Sequence, residues 1–195
     1  MGKNIWFGTV LMVVCLASAY PRGNHEPKRF DGERIVHNLS LEYDYPVEDI
    51  FPLLCPVREY EWMSSWNGTT VYTESGFAEK YVVFYHKIPF PFLFKKAYWT
   101  ATQYVPDKQI QWCITVPGIC IVVIDETMEN LEDGKSVFRS RYHITGLSRT
   151  GNKLIAKMFS RDSLLKEVFR ARDEIQHYLA TGTMLDTEYE SDMFD

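Results

Sequence analysis

The chain has 195 residues, 46% hydrophobic and 24% charged, the balance of an ordinary globular protein, which excludes whole-chain disorder and collagen-like structure. Its net charge of -5 at pH 7 argues against a nucleic-acid partner, because grasping phosphates takes a basic surface. Aromatic residues reach 15%, more ring surface than a small core requires, which points to a cavity or an interface.

Residues 1–19 read as an export signal. Lys3 gives a short positive start, Ile5 to Leu16 is uncharged and apolar, and Ala17-Ser18-Ala19 is a small-residue cleavage signature. The apolar run falls short of the about 20 residues that span a membrane, so cleavage near Ala19 is expected rather than retention as an anchor. Residues 20–33 form a polar leader carrying Pro and Gly. His37, Leu39, Leu41 and Tyr43 then alternate with polar neighbours, as in a half-buried strand. Val47 to Leu54 predicts a short helix with Glu48 and Asp49 in its first turn, closed by Pro56. A second short turn follows over Val57 to Trp62.

The middle of the chain is rich in strands. They are predicted over Thr70–Thr73, Phe77–His86, Ala97–Val105, Gln109–Val116, Ile119–Met128 and Ser136–Thr145. Ser75-Gly76, Pro106-Asp107, Pro117-Gly118 and Asp133-Gly134 supply the turns. Short links favour an antiparallel meander. If Pro117-Gly118 closes a two-residue hairpin, Thr115 faces Cys120 and Cys113 is its diagonal neighbour, at about 7–8 Å and too far for an easy disulfide. Cys55, Cys113 and Cys120 are therefore read as buried free thiols.

After Gly151 the period changes to helical. Leu154, Met158, Leu165, Phe169, Ile175 and Leu179 share a stripe, predicting one helix from Asn152 to Ala180 that stops at Gly182. The stripe weakens over Ser160–Ser163, where the helix bends or faces something polar. Such a helix, roughly 29 residues and 43 Å long, must bury its stripe against the sheet. A seven-stranded sheet curls, and one rod leaves part of the trough unfilled. Residues 34–185 thus form one α+β domain, and 186–195 an acidic tail with five acids and no base.

This element order resembles the START-like helix-grip superfamily, in the branch labelled SRPBCC or polyketide cyclase/dehydrase-like. Leu53–Trp62, Ser75–Glu79, Trp99 and Tyr178–Gly182 carry the resemblance, which spans roughly Ile35 to Leu185. It implies a helix-grip fold: a seven-stranded antiparallel sheet around a long C-terminal helix, with two short helices after the first strand. It also implies a cavity for lipids, sterols, polyketides or plant metabolites. Some members are enzymes, so the fold does not fix the function.

Glu59 leads the candidate site residues. Among Tyr60, Trp62 and Trp66 it is placed to act as an acid or base, or to anchor a polar ligand group. The simpler expectation is a structural ion pair with Arg58 or a strand arginine. Arg139, Arg141 and His143 read as the outer face of their strand, which turns Tyr142 inward. Trp99, Trp112, Tyr81, Tyr85 and Met158 complete the expected core or cavity lining. Residues 87–96 place Phe90, Phe92 and Phe94 among prolines and lysines. Such a segment folds onto the core as a lid, or meets a membrane surface through 88–94.

No phosphate-cradling loop, nucleophile elbow or metal-ligand spacing occurs in the sequence, so neither metal nor cofactor is expected. Asn38-Leu39-Ser40 and Asn67-Gly68-Thr69 fit the glycosylation sequon. The sequence thus predicts an exported protein that binds a hydrophobic small molecule or lipid. The alternatives are a cyclase, dehydratase or isomerase using Glu59 with Tyr142, and an interaction protein with a filled core.

Overall fold

A computed structural model describes residues 29–88 and 95–186. The chain divides into two units, Met1–Asp31 and Gly32–Asp195. In the first, Arg29 and Asp31 form an exposed ion pair. The second carries the fold.

Its elements are β1 (Arg34–Tyr43), α1 (Val47–Ile50), a 3-10 turn (Phe51–Leu54), α2 (Glu59–Trp62), β2 (Thr69–Tyr72), β3 (Val83–Ile88), β4 (Lys95–Val105), β5 (Gln109–Val116), β6 (Cys120–Asn130), β7 (Ser136–Gly146), α3 (Arg149–Met158) and α4 (Arg161–Thr181). The seven strands form one antiparallel sheet in the order β1-β7-β6-β5-β4-β3-β2. Alternation decides which side chains turn inward. Leu39, Leu41 and Tyr43 are buried on β1, with Phe138, Tyr142 and Ile144 on β7. Arg139 and Arg141 lie on the exposed face, and Arg139 pairs with Glu129 at 2.7 Å. No helix among the described residues is long and apolar enough to cross a membrane.

Three features differ from the sequence reading. The run Phe77–His86 is strand only from Val83, because Tyr81 sits at φ 71°, a left-handed conformation that interrupts extended backbone. Glu79 gathers this segment into a turn, accepting from the Thr73 hydroxyl at 2.9 Å and from the Ser75 amide at 3.2 Å. The β5–β6 turn takes up Pro117, Gly118 and Ile119, so Val116 faces Cys120. That one-residue difference puts Cys113 on the opposite face from Cys120 and leaves it half-buried; the three described cysteines, Cys55, Cys113 and Cys120, are free.

The third difference is the long helix, which is two. It breaks at Phe159–Ser160, where the Ser160 hydroxyl accepts from the Ser163 amide at 3.1 Å and caps α4. The free carbonyl of Phe159 is met by His37 Nε2 at 2.9 Å. Helix α4 ends as expected at Gly182, in the left-handed conformation with φ 72°.

Helix α3 is pressed onto the β5–β6 turn. Ser148 Oγ donates to the Gly118 carbonyl at 2.8 Å and accepts from the Gly151 amide at 2.9 Å. A Cβ on Gly151 would lie 2.0 Å from the Ile119 carbonyl oxygen. Alanine in place of a helical glycine ordinarily adds about 1 kcal/mol of stability. Here the sign should reverse: Gly151→Ala is expected to lower the denaturation midpoint, since α3 must lift off the turn. An unchanged or raised midpoint in urea unfolding would show the contact to be slack.

Candidate functional site

The inner face of the sheet does not meet the helices closely, and a cavity of about 700 Å3 lies between them. Short helix α2 and its flanks contribute Glu59, Trp62, Met63 and Trp66 to the wall. Strands β3, β4 and β5 supply Phe84, His86, Trp99 and Trp112, and β7 supplies Tyr142. Met158, at the end of α3, and Leu164, Val168 and Ile175 of α4 close the other side.

The part of this surface that β3, β4 and β5 supply is rich in aromatic rings that touch one another. Phe84 stacks on Trp99 with centroids 5.4 Å apart, and Trp112 meets both edge-on at 5.6 and 6.0 Å. Trp66 leans on Phe84 at 5.7 Å and on His86 at 5.8 Å. Trp62 is 1% exposed and donates its indole N–H to the Leu53 carbonyl at 2.9 Å, tying α2 to the preceding turn.

Glu59, Trp62, Trp66, Trp99, Trp112, Tyr142 and Met158 therefore all line this one cavity. Tyr81 and Tyr85 do not. Tyr81 is 61% exposed, and Tyr85 faces outward on β3, beneath the Lys96 ammonium at 3.8 Å from its ring. The inward phase of β3 is instead Phe84, His86 and Ile88. Phe90, Phe92 and Phe94 lie outside the described residues. Because Tyr81 holds a left-handed conformation away from the cavity, Tyr81→Gly should raise stability by about 1 kcal/mol. A drop in the thermal unfolding midpoint contradicts this placement.

The polar groups of the wall are unusual in having few partners. Arg58, the expected mate of Glu59, instead makes a two-pronged bond to Glu61 at 2.9 and 3.0 Å. Tyr178 donates to the same Glu61 carboxylate at 2.8 Å. Glu59 Oε2 is left buried without a hydrogen-bond partner among the described residues. Burial, with the nearby Glu126 carboxyl adding to it, pushes the Glu59 pKa up to about 8.

Glu126 on β6 was not singled out from the sequence, yet it faces the same cavity. Its Oε2 accepts the Trp112 indole N–H at 3.1 Å, and burial lifts its pKa to about 8 despite that bond. It stands in phase with Val122, Ile124 and Met128, all buried. A carboxyl at an inward position of an apolar strand face is the signal that could have found it. Burial, reinforced by Glu126, holds the Tyr43 and Tyr142 phenols well above the ordinary tyrosine range. Burial drives the His86 imidazole down to about 4, so it is neutral at pH 7, and its Nδ1 has no hydrogen-bond partner among the described residues. No cluster of His, Cys, Asp and Glu among the described residues could hold a metal ion.

No protein-family profile matches the sequence, and no curated protein does so either. Solved structures do match in shape. Norcoclaurine synthase from Thalictrum flavum aligns with a TM-score of 0.59 at 10% identity, over 82% of this chain and 95% of that one. A point mutant of that synthase, in complex with a transition-state analogue, aligns at 0.55 with 9% identity, over 79% of this chain and 99% of that one. A Staphylococcus aureus protein of unknown function aligns at 0.55 with 13% identity, over 78% and 97%. The chain has the helix-grip fold. At such identities the likeness speaks for the architecture alone. In this helix-grip frame the sheet is the palm, α4 the held rod, and the aromatic hollow lies between them.

Proposed function

We propose that the protein binds an apolar, ring-bearing small molecule in the space between sheet and helices. The observation that carries this reading is the cavity of about 700 Å3 walled by contacting aromatic rings. A void of that size is costly to keep empty, because its lining forgoes dispersion contacts. It lies in the range of small-molecule sites. Export through residues 1–19 and contact with a membrane surface through 88–94 belong to the same proposal: such a carrier would collect its ligand from, or deliver it to, a lipid phase.

Native mass spectrometry of the protein as purified should show an added mass that solvent extraction removes. The extracted protein should then take up the neutral dye N-phenylnaphthylamine. Val122→Trp, which pushes a large ring into the cavity from β6, should weaken dye uptake at least about ten-fold. Bare masses together with no dye uptake would sink the carrier reading.

A second reading is favoured by Glu59 itself. A carboxyl still protonated near neutrality can serve as a general acid, and Tyr142 lines the same cavity. Norcoclaurine synthase, of the same fold, is by name an enzyme. Chemical alteration of a captured ligand over hours, abolished in Glu59→Gln, would move the assignment from carrier to enzyme.

A further inference from the structure

The cavity is apolar in most of its lining but not in its charge logic. Two carboxyls, Glu59 and Glu126, enter it from opposite elements, one from α2 and one from β6. Each is largely withdrawn from solvent, and the two are close enough to repel. No described cation pairs with either. Arg58 belongs to Glu61, and Arg170 on α4 donates to Glu167 at 2.6 Å and to Ser65 at 3.2 Å. Lys166, the other cation bordering the cavity, is exposed on α4.

The only hydrogen bond that the two carboxyls receive from the described side chains is the Trp112 indole N–H on Glu126. Glu59 Oε2 and His86 Nδ1 remain buried without hydrogen-bond partners among the described residues. Around them stand the Tyr43 and Tyr142 phenols. A buried carboxyl is normally retained only with a partner, since burial without one is costly. The missing partner in this wall is a group that donates hydrogen bonds and brings positive charge.

We propose that the cavity selects a ring-bearing amine, its ammonium set against the Glu59 and Glu126 carboxyls and its ring against Phe84, Trp99 and Trp112. This deepens the binding reading above and rests on it. An ammonium supplies three donors for these acceptors, and bonds between ionised groups are about twice as strong as neutral ones. A carboxylate-bearing ligand of the same shape would place a third acid beside two. The aromatic rings hold the apolar body and can also face the cation. The selection thus works by charge sign at one end and ring contact at the other.

Isothermal titration of the full chain, cleared of ligand, with naphthylethylamine, ethylnaphthalene and naphthylacetate at pH 7 tests this. The three share one ring system and differ in the charged group. The amine should bind at least about ten-fold more tightly than the hydrocarbon, and the acid more weakly than either. In the Glu59→Gln, Glu126→Gln double variant, the ratio of amine to hydrocarbon affinity should fall to within about two-fold. Equal affinities for amine and hydrocarbon in the unaltered protein, or preference for the acid, overturn the amine inference while leaving the binding reading intact. If none of the three binds, the binding reading falls and takes the amine with it. The panel on the unaltered protein decides the matter even if the double variant does not fold.

Discussion

Between pH 6.5 and 8 the protein should lose stability as the pH rises, and replacing Glu126 by glutamine should remove much of that loss. The sign follows from linkage. Burial raises Glu59 and Glu126 from 4.5 to about 8, so across this interval the folded chain holds protons that the unfolded chain has released. Stability is then fully present below the unfolded value and drains away towards the folded one. Each carboxyl contributes a slope of about 1.4 kcal/mol per pH unit at most. His86 acts in the other direction, but only between its depressed value of about 4 and 6.5, where the unfolded chain alone is protonated. The pairs that lower Glu61, Glu48 and Glu79 work below 4.5, outside the interval.

Glu126→Gln should therefore be more stable than the parent at pH 8 and close to it at pH 5. The amide oxygen can still accept the Trp112 N–H. Removal of the Glu126 charge should also ease the ionisation of Glu59, since repulsion between them adds to burial in raising it. Urea unfolding midpoints at several pH values measure this directly. A stability that stays level from 6.5 to 8 would show that these carboxyls are already ionised in the folded chain and contradict this expectation.

Trp62→Ala should be the most damaging single truncation in the cavity wall, at about 3–5 kcal/mol. Trp62 is 1% exposed, and its loss would remove both its packing and the bond to the Leu53 carbonyl. That bond connects α2 to the 3-10 turn, so Glu59, three residues earlier, would lose its support as well. Trp99→Ala should cost less. Trp99 is only half-buried, its indole N–H has no partner among the described residues, and its rim of neighbours already borders open space. Comparison of the two variants by thermal unfolding checks the ranking; equal losses would contradict it.

The strands whose inward and outward residues differ in polarity could be read directly. On β7, arginines alternate with Phe138, Tyr142 and Ile144, and only one phase can face a core. On β5, Ile110, Trp112 and Ile114 stand in a single phase, and all three are buried. Strand β3 offered no such contrast. Tyr81, Val83 and Tyr85 in one phase and Val82, Phe84 and His86 in the other are equally apolar or aromatic. The choice was made by a turn that Glu79 draws together, a side-chain-to-backbone effect that hydrophobic period does not record.

Glu126 was passed over for a related reason. An acid within a strand is read as solvent-facing unless its phase is counted against its neighbours, and Val122, Ile124 and Met128 put it inside. The helix break was partly written in Ser160-Arg161-Asp162-Ser163, a stretch with a capping serine and an early acid. Read only as a weak stripe, it suggested a bend. Its other half, the His37 imidazole meeting the Phe159 carbonyl, joins residues 122 apart and has no local signature.

Trp62, Trp66, Trp99 and Trp112 are four of the five tryptophans of the chain, and all four border the same hollow. The intrinsic ultraviolet emission of the protein is therefore an optical gauge of that space. A guest that absorbs near 340 nm would receive excitation from several indoles at once and dim them together, while one that only expels water would shift their colour towards the blue. The occupancy of the molecule can be followed by light alone, with no label attached.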